Sequence, residues 1–467
     1  MISQLMNFAW RSVPGTRFAL LALVAGGISV SAEAQIAVRN QGYMPYSDAP
    51  INYRSEDVSD PVAKLERKIE KGEVTLKWDD DQGYLKSVLD LLKVPLESQT
   101  LVFSKTSFQY PKITPEHPRA LYYNDDVYVG KVHDGKAIEV VSFDARQGAI
   151  FYLLDEHRLD KPMFQRAELD CTQCHIAAGT RGIPGVLVRS VYAADTGILV
   201  PGAASFITDQ NSPLSERWGG WYVDGQVAAA SMANATAIEA PTPVPGPVAA
   251  KLIPLTAPAY KASDYLRPGS DAVALLVLGH QTQMHNLITL TNYKTRIALY
   301  ALQKSSPDEA ALPEATRQQF ERPAEQLLRY LLFANEAPLA DLNARAALQA
   351  SPFAQQFATR GPRDSRGRSL RDFDLGTRIF RYPCSYLIYS DAFDALPQPA
   401  RDYVYHRLLQ ILSSQDQSPD FASVTAPDRE AVLEILLETK PGLPQEWLTY
   451  ARSNHLKFNS SSTEDKP

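Results

Sequence analysis

A chain of 467 residues, 45% of them hydrophobic, can bury a large core, and its length suits two or three domains. The formal charge of −6 at pH 7 argues against binding nucleic acid or an anionic membrane surface. Three cysteines in so long a chain exclude a disulfide scaffold, so packing must supply the stability.

In chain order, Arg11 and Arg17 precede an apolar run from Phe18 to Val30, and Ala32-Glu33-Ala34 offers the small residues that a signal peptidase reads. The run is too short to span a bilayer. There is no Arg-Arg pair and no nearby Cys for lipidation, so the expected route is Sec-type and the expected address periplasmic. Cleavage after residue 34 takes two arginines and one glutamate with it, shifting the side-chain charge to −7. No membrane span is expected after cleavage. A polar, Pro-containing arm follows to about Tyr53.

Val62, Leu65 and Ile69 recur at intervals of three and four, which predicts a helix over 61–72 that stops at Gly72. The stretch 83–93 repeats the pattern. The period then changes. Five short runs at 100–104, 120–123, 127–132, 137–141 and 149–153 are rich in β-branched and aromatic residues, and Asn/Asp/Gly clusters separate them. With no helices between them, they predict an antiparallel meander.

Directly after this β-rich stretch stands Cys171-Thr172-Gln173-Cys174-His175. Two thiols three residues apart on a helical turn face one side, where each can form a thioether to a haem vinyl group. The following imidazole can then serve as the proximal iron ligand. This composition would produce such a pentapeptide by chance only about 3 times in 10,000. A structural zinc site asks for a second ligand pair, and the chain has no other Cys pair. A thioredoxin-like pair belongs in a βαβ unit, which is not evident here. The pentapeptide resembles the attachment site of the c-type cytochromes. The resemblance is confined to these residues and their surroundings, while the flanks look like an uncharacterised group of large periplasmic monohaem proteins. It implies one covalent haem c held by Cys171, Cys174 and His175.

Beyond the motif, 178–185 reads as a Gly/Pro loop able to approach a haem closely, and 186–192 as a strand. Arg181, Arg189 and Arg217 are the candidate propionate partners, because guanidinium matches a carboxylate bidentately. Trp218 and Trp221 are candidates to donate an indole N–H or to stack on the ring edge. Proline punctuates an extended linker, and from about Asp264 to Arg452 the pattern is helical. A helix opened by Ser270-Asp271 carries Val273, Leu276, Val277, His280, Met284 and Leu287 on one stripe. His280 is therefore the leading candidate for a sixth iron ligand and Met232 the runner-up, with His285 and an open position as further alternatives. Cys384 lies among aromatic residues and reads as a buried, inert thiol. The Arg-rich stretch 361–372 reads first as a salt-bridged surface loop, with anion binding or docking as the alternative.

These patterns predict an α+β protein, with a β-rich antiparallel N-terminal region and a mostly helical C-terminal region around one covalent haem. The expected divisions are a signal peptide at 1–34, a β-rich domain at 35–165, a haem-attachment region at 166–240, a Pro-rich linker at 241–262, a helical domain at 263–455 and a disordered tail at 456–467. The expected function is electron transfer, with an unidentified protein or a small oxidant or reductant as partner. A haem-dependent oxidoreductase with an open or displaceable sixth position is the alternative, and a haem-based sensor or docking subunit is a third class.

Overall fold

Runs of β-branched and aromatic residues between turn clusters become strands, as their composition requires. The computed structural model describes residues 44–55, 57–225, 229–238, 249–305, 312–339 and 350–459. The expected signal peptide, residues 241–248 of the Pro-rich segment and the end of the tail lie outside the described residues. Two helices, α1 (Pro61–Glu70) and α2 (Leu85–Leu91), precede β1 (Thr100–Val102), β2 (Arg119–Tyr123), β3 (Val127–Lys131), β4 (Ala137–Asp144), β5 (Gly148–Asp155) and β6 (Phe164–Arg166). Next come α3 (Glu168–His175), β7 (Arg189–Val191), β8 (Ser205–Ile207), β9 (Trp221–Tyr222), β10 (Ala235–Ile238) and β11 (Lys251–Pro254). The chain then turns helical, with α4 (Ala272–Ser305), α5 (Glu314–Leu331), α6 (Pro352–Ala358), α7 (Asp391–Asp394), α8 (Gln398–Leu412), α9 (Ala426–Thr439) and α10 (Gln445–Ser453). The protein is α+β, as expected, and the described residues belong to one compact unit.

The main sheet is antiparallel throughout, in the order β6-β5-β4-β3-β2-β1-β9. Period-two alternation gives it two different faces. Tyr122, Val129, Val140, Ile150 and Leu154 point to one side and pack with Val62, Leu65, Leu85 and Val88 of α1 and α2. Tyr123, Tyr128, Phe143 and Phe151 point to the other and share a core with α4 and the later helices. A one-residue slip in any of these strands would exchange the two cores, so both fix the register.

Helix α4 is the axis of the second core. Asp271 caps it, its Oδ1 accepting from the backbone N–H groups of Val273 and Ala274. It is about 51 Å long at the usual rise. Its first six turns are buried on every side, polar residues included. Those polar side chains bind backbone that no ladder satisfies. Gln283 reaches Gly179, Gln281 reaches Asn124 and Asn292 reaches Ala395. Within the mostly helical region from 264 to 452, the chain runs in turns at 359–385, around the loop expected at 361–372. Gly361, Pro362, Gly367 and Pro383 discourage helix there, and side-chain ion pairs take its place. Arg363 pairs with Asp372, Arg366 and Arg368 with Glu434, and Arg371 with Asp125, so the Arg-rich stretch is a salt-bridged loop.

Just after α5, Glu336 accepts a hydrogen bond from the Ile379 N–H at 2.7 Å. Burial pushes its carboxyl up to about 7, against the pull of Arg217 and Arg378. A carboxyl whose pKa is raised on folding binds its proton more tightly in the native state. Its stabilising contribution is full at low pH and is lost as pH rises from about 4.5 to about 7. Glu336→Gln keeps the acceptor and removes the charge. It should stabilise the protein by about 1–3 kcal/mol at pH 8 and by almost nothing near pH 4.5, as read from denaturant midpoints at the two pH values. A variant less stable than the parent at pH 8 would contradict this account.

Candidate functional site

Strand β6 delivers the chain directly into α3, whose eight residues end in the Cys-x-x-Cys-His sequence. Helical spacing puts Cys171, Cys174 and His175 on the side of α3 that faces the sheet, and all three line one cleft. Its floor is the second face of the sheet, with Arg119 and Leu121 from β2, Tyr128 and Gly130 from β3, Glu139 and Val141 from β4, and Phe151 and Leu153 from β5. Val186, Val188, Trp221, Leu278 and Thr282 wall the other side. The cleft encloses about 920 Å³ between atoms, solvent at its mouth included.

His175 is held by a specific bond. Its Nδ1 lies 2.8 Å from the Gly185 carbonyl oxygen. A carbonyl only accepts, so Nδ1 carries the proton and the neutral ring keeps its lone pair on Nε2. Burial lowers the pKa of His175, which favours that neutral ring. The ring also packs against Phe151, 4.9 Å between centroids. The accepting loop is positioned in turn by α4. Asn286 receives the Val186 N–H at 3.1 Å and donates to the Val186 carbonyl at 2.7 Å. A Cβ at residue 185 would sit 2.2 Å from the Asn286 amide oxygen, so only glycine fits there. Asn286 is thus a positioning residue for His175, three links away in contact and 111 residues away in sequence.

The two thiols are free, Cys174 exposed and Cys171 half-buried. Burial pushes the Cys171 thiol up to about 12, and Glu139 and Asp170 add to the effect. Arg119 pairs with Glu139, whose carboxylate also receives Ser107 and Gln109. The guanidinium lies over Gly130, where a Cβ would meet it at 2.5 Å, and its Nε is buried without a hydrogen-bond partner. Farther in, the Tyr386 hydroxyl donates to Gln281, Gln281 donates to the Tyr128 hydroxyl, and Tyr128 faces His285 Nδ1 at 3.2 Å. His285 Nε2 has no hydrogen-bond partner, and burial lowers the pKa of this ring to about 3.

The other residues expected from the sequence are not brought to this cleft. His280 is fully buried elsewhere, with Nδ1 on Gln210 at 2.5 Å and Nε2 on Ser385 at 2.8 Å, stacked on Phe333. Both ring nitrogens are occupied, so none is free for a metal. Met232 sits in a separate small core beside Tyr192, its sulfur 3.6 Å from the Ser190 hydroxyl. Arg217 is buried and spends its N–H groups on the carbonyls of Ser212 and Gln210. Arg189 is exposed and bonds Ser205. Arg181 stands in a left-handed turn and does not line the cleft. Trp221 does line it, with its indole N–H taken by the Arg189 carbonyl, whereas Trp218 is packed in the core. Cys384 is fully buried and burial raises its thiol pKa, as befits an inert core residue. Arg119 and Asn286 gave no local signal, because their roles arise from strand pairing and helix docking.

Among the described residues no helix is long and apolar enough to cross a membrane. No protein-family model matches this chain, and neither a curated protein nor a solved structure is significantly similar to it.

Proposed function

We propose that this chain is a periplasmic monohaem c-type protein with a redox function, carrying its haem in the cleft below α3. One observation carries the reading. His175 donates Nδ1–H to the Gly185 carbonyl and so keeps the Nε2 lone pair, the arrangement in which a histidine serves as a metal ligand with its second nitrogen fixed by backbone. The fit extends to the rest of the cleft. Both thiols are free and on its wall, the floor is largely apolar, and Arg119, unlike Arg181, lines the cleft, where its guanidinium can meet an anion such as a haem carboxylate. This reassigns the carboxylate partner from Arg181, Arg189 or Arg217 to Arg119.

Haem supplies a one-electron iron couple, and covalent attachment prevents its loss to a dilute compartment. The chain's own contribution is to orient His175 through Gly185 and Asn286, to keep water from the apolar floor, and to hold the Arg119–Glu139 pair beside it. A second observation bears on carrier against enzyme. Among the described residues lining the cleft, His175 is the sole imidazole and none is Met. This favours an open sixth position and the haem-dependent oxidoreductase over a pure electron carrier, with Tyr128 and Arg119 as the polar groups facing a bound small molecule.

Absorption spectra of the oxidised holoprotein test this. The expected result is high-spin iron that binds cyanide, with spectra unchanged in His280→Ala and Met232→Ala. Low-spin iron inert to cyanide, converted to high spin by either substitution, would return the protein to the carrier class and restore that residue as ligand.

A further inference from the structure

On the opposite face of the same sheet, away from the cleft, His117, His133 and Asp264 bring their ligand atoms within 4.8 Å of one another. They come from three separate segments. His117 precedes β2, His133 follows β3 in the turn to β4, and Asp264 lies in the short helical turn before α4. The neighbouring strand residues Ala120, Tyr122 and Lys131 alternate with Arg119, Leu121 and Gly130, so the sheet itself separates the two sites.

We propose that these three residues form a site for one divalent cation of the zinc class. Two imidazoles and one carboxylate are a borderline nitrogen and oxygen donor set that suits Zn²⁺, with water completing a tetrahedron. At ordinary bond lengths of about 2.0–2.1 Å, tetrahedral ligands lie about 3.3 Å apart, so closure asks for shifts of roughly 1–1.5 Å. Rotation of the exposed His117 ring can supply much of that.

The surroundings hold the three donors close before any ion binds. The imidazoles of His117 and His133 stack at 4.6 Å between centroids. Thr114 and His117 exchange backbone hydrogen bonds, which closes the turn that presents the first imidazole. The Tyr265 hydroxyl donates to the Pro118 carbonyl at 2.9 Å, pinning the residue after Asp264 to the residue after His117. Gln82 donates to the Asp264 carbonyl at 3.3 Å. The Asp134 carboxylate lies 3.5 Å from His133 Nδ1, placed to orient that ring. Among the described residues no Lys or Arg pairs with the Asp264 carboxylate. Asp80 and Asp81 line the adjoining hollow, where Lys131 is already paired with Glu156, and they leave it net acidic toward a cation.

A bound ion would join the approach to β2, the β3–β4 turn and the entry to α4 in one cross-link. Two of these lead directly into the strands that carry Arg119 and Glu139. The ion therefore acts as a structural clamp on the sheet.

Calorimetric titration of chelator-treated holoprotein with Zn²⁺ tests the site. One equivalent should bind, raising the thermal midpoint by about 2–4 °C and leaving the haem absorption bands unchanged. The double variant His117→Ala/His133→Ala should lose at least tenfold in affinity together with the midpoint shift, and Asp264→Asn should weaken binding. His406→Ala, which removes a surface imidazole paired with Glu446, should bind as the parent does. Absence of stoichiometric binding, or full affinity in the double variant, would overturn the site. These surface substitutions should fold, and far-ultraviolet dichroism of each variant checks that they do. Loss of haem in a separate experiment would bear on the function above and leave this result standing.

Discussion

Replacing Cys171 and Cys174 together by Ser should abolish the proposed covalent haem attachment. Expressed with a haem-maturation system, the parent should give a haem-stained band that survives denaturing electrophoresis, and the double variant none. Each single variant should retain one thioether, with reduced yield and a shifted absorption band. His175→Ala should keep the staining in any haem that attaches while losing the axial nitrogen, which separates attachment from ligation. The reasoning rests on chemistry that serine cannot reproduce, since its hydroxyl does not add to a vinyl group as a thiol does. An intact, folded parent without the stain would end the haem reading and leave the cleft as a site for some other ligand. Cys384→Ser should leave the stain untouched, because that thiol is sealed in the helical core.

Arg429→Met should be among the most destabilising single substitutions in the helical region, at about 3–5 kcal/mol. Arg429 is 5% exposed and has no carboxylate partner in reach of its hydrogen bonds. Its guanidinium instead bonds four backbone carbonyls, those of Val424, Ile411, Asp416 and Phe421, at 2.7–2.9 Å. Ile411 and Phe421 have other donors, Ser414 and Val424. The carbonyls of Val424 and Asp416 would be left without this donor, and each such loss in a buried setting costs about 1–3 kcal/mol. Methionine fills much of the volume, so the effect isolates hydrogen bonding from cavity formation. Arg429→Lys should recover less than half, because a single ammonium cannot span acceptors spread over the fork of a guanidinium. Urea unfolding followed by fluorescence reads the shift, while the haem spectrum, reporting on a distant cleft, should stay constant. A shift below about 1 kcal/mol would mean that water replaces the guanidinium at no cost.

Much of the local structure was legible before any coordinates. The strands from β2 to β5 coincide with the expected runs to within one to three residues at each end, because β-branched and aromatic residues at period two leave the chain few other ways to bury one face. The start of α4 at Ser270-Asp271 was legible for a similar reason, since an acidic cap satisfies free N–H groups wherever a helix begins. The mostly helical region from 264 to 452 holds one long stretch of turns at 359–385, and its Arg-rich part, 361–372, was legible as a salt-bridged loop. There the Asp364 and Asp372 carboxylates accept backbone N–H groups and Arg363 donates to the carbonyls of Gly367 and Ala358, which helical periodicity does not register.

The sixth ligand shows most clearly where pattern reading stops. His280 occupies a core stripe of α4 and was a reasonable ligand by elimination. Its position on the helix, however, turns it toward Gln210 and Ser385, both far away in sequence. His285 lies behind Tyr128, and no one-dimensional signal distinguishes the two rings.

By itself the sequence determined the Cys171-x-x-Cys174-His175 pentapeptide, the α+β division and the alternation that gives the sheet two buried faces. These are short-range properties, governed by spacing along a few residues. Only the tertiary structure decided that Gly185 and Asn286 orient His175, that Arg119 and not Arg181, Arg189 or Arg217 borders the cleft, and that His117, His133 and Asp264 meet. Each depends on groups brought together by strand pairing and helix docking across tens to hundreds of residues. Loop closure over such lengths leaves no periodic trace, because nearly any intervening sequence can span the gap.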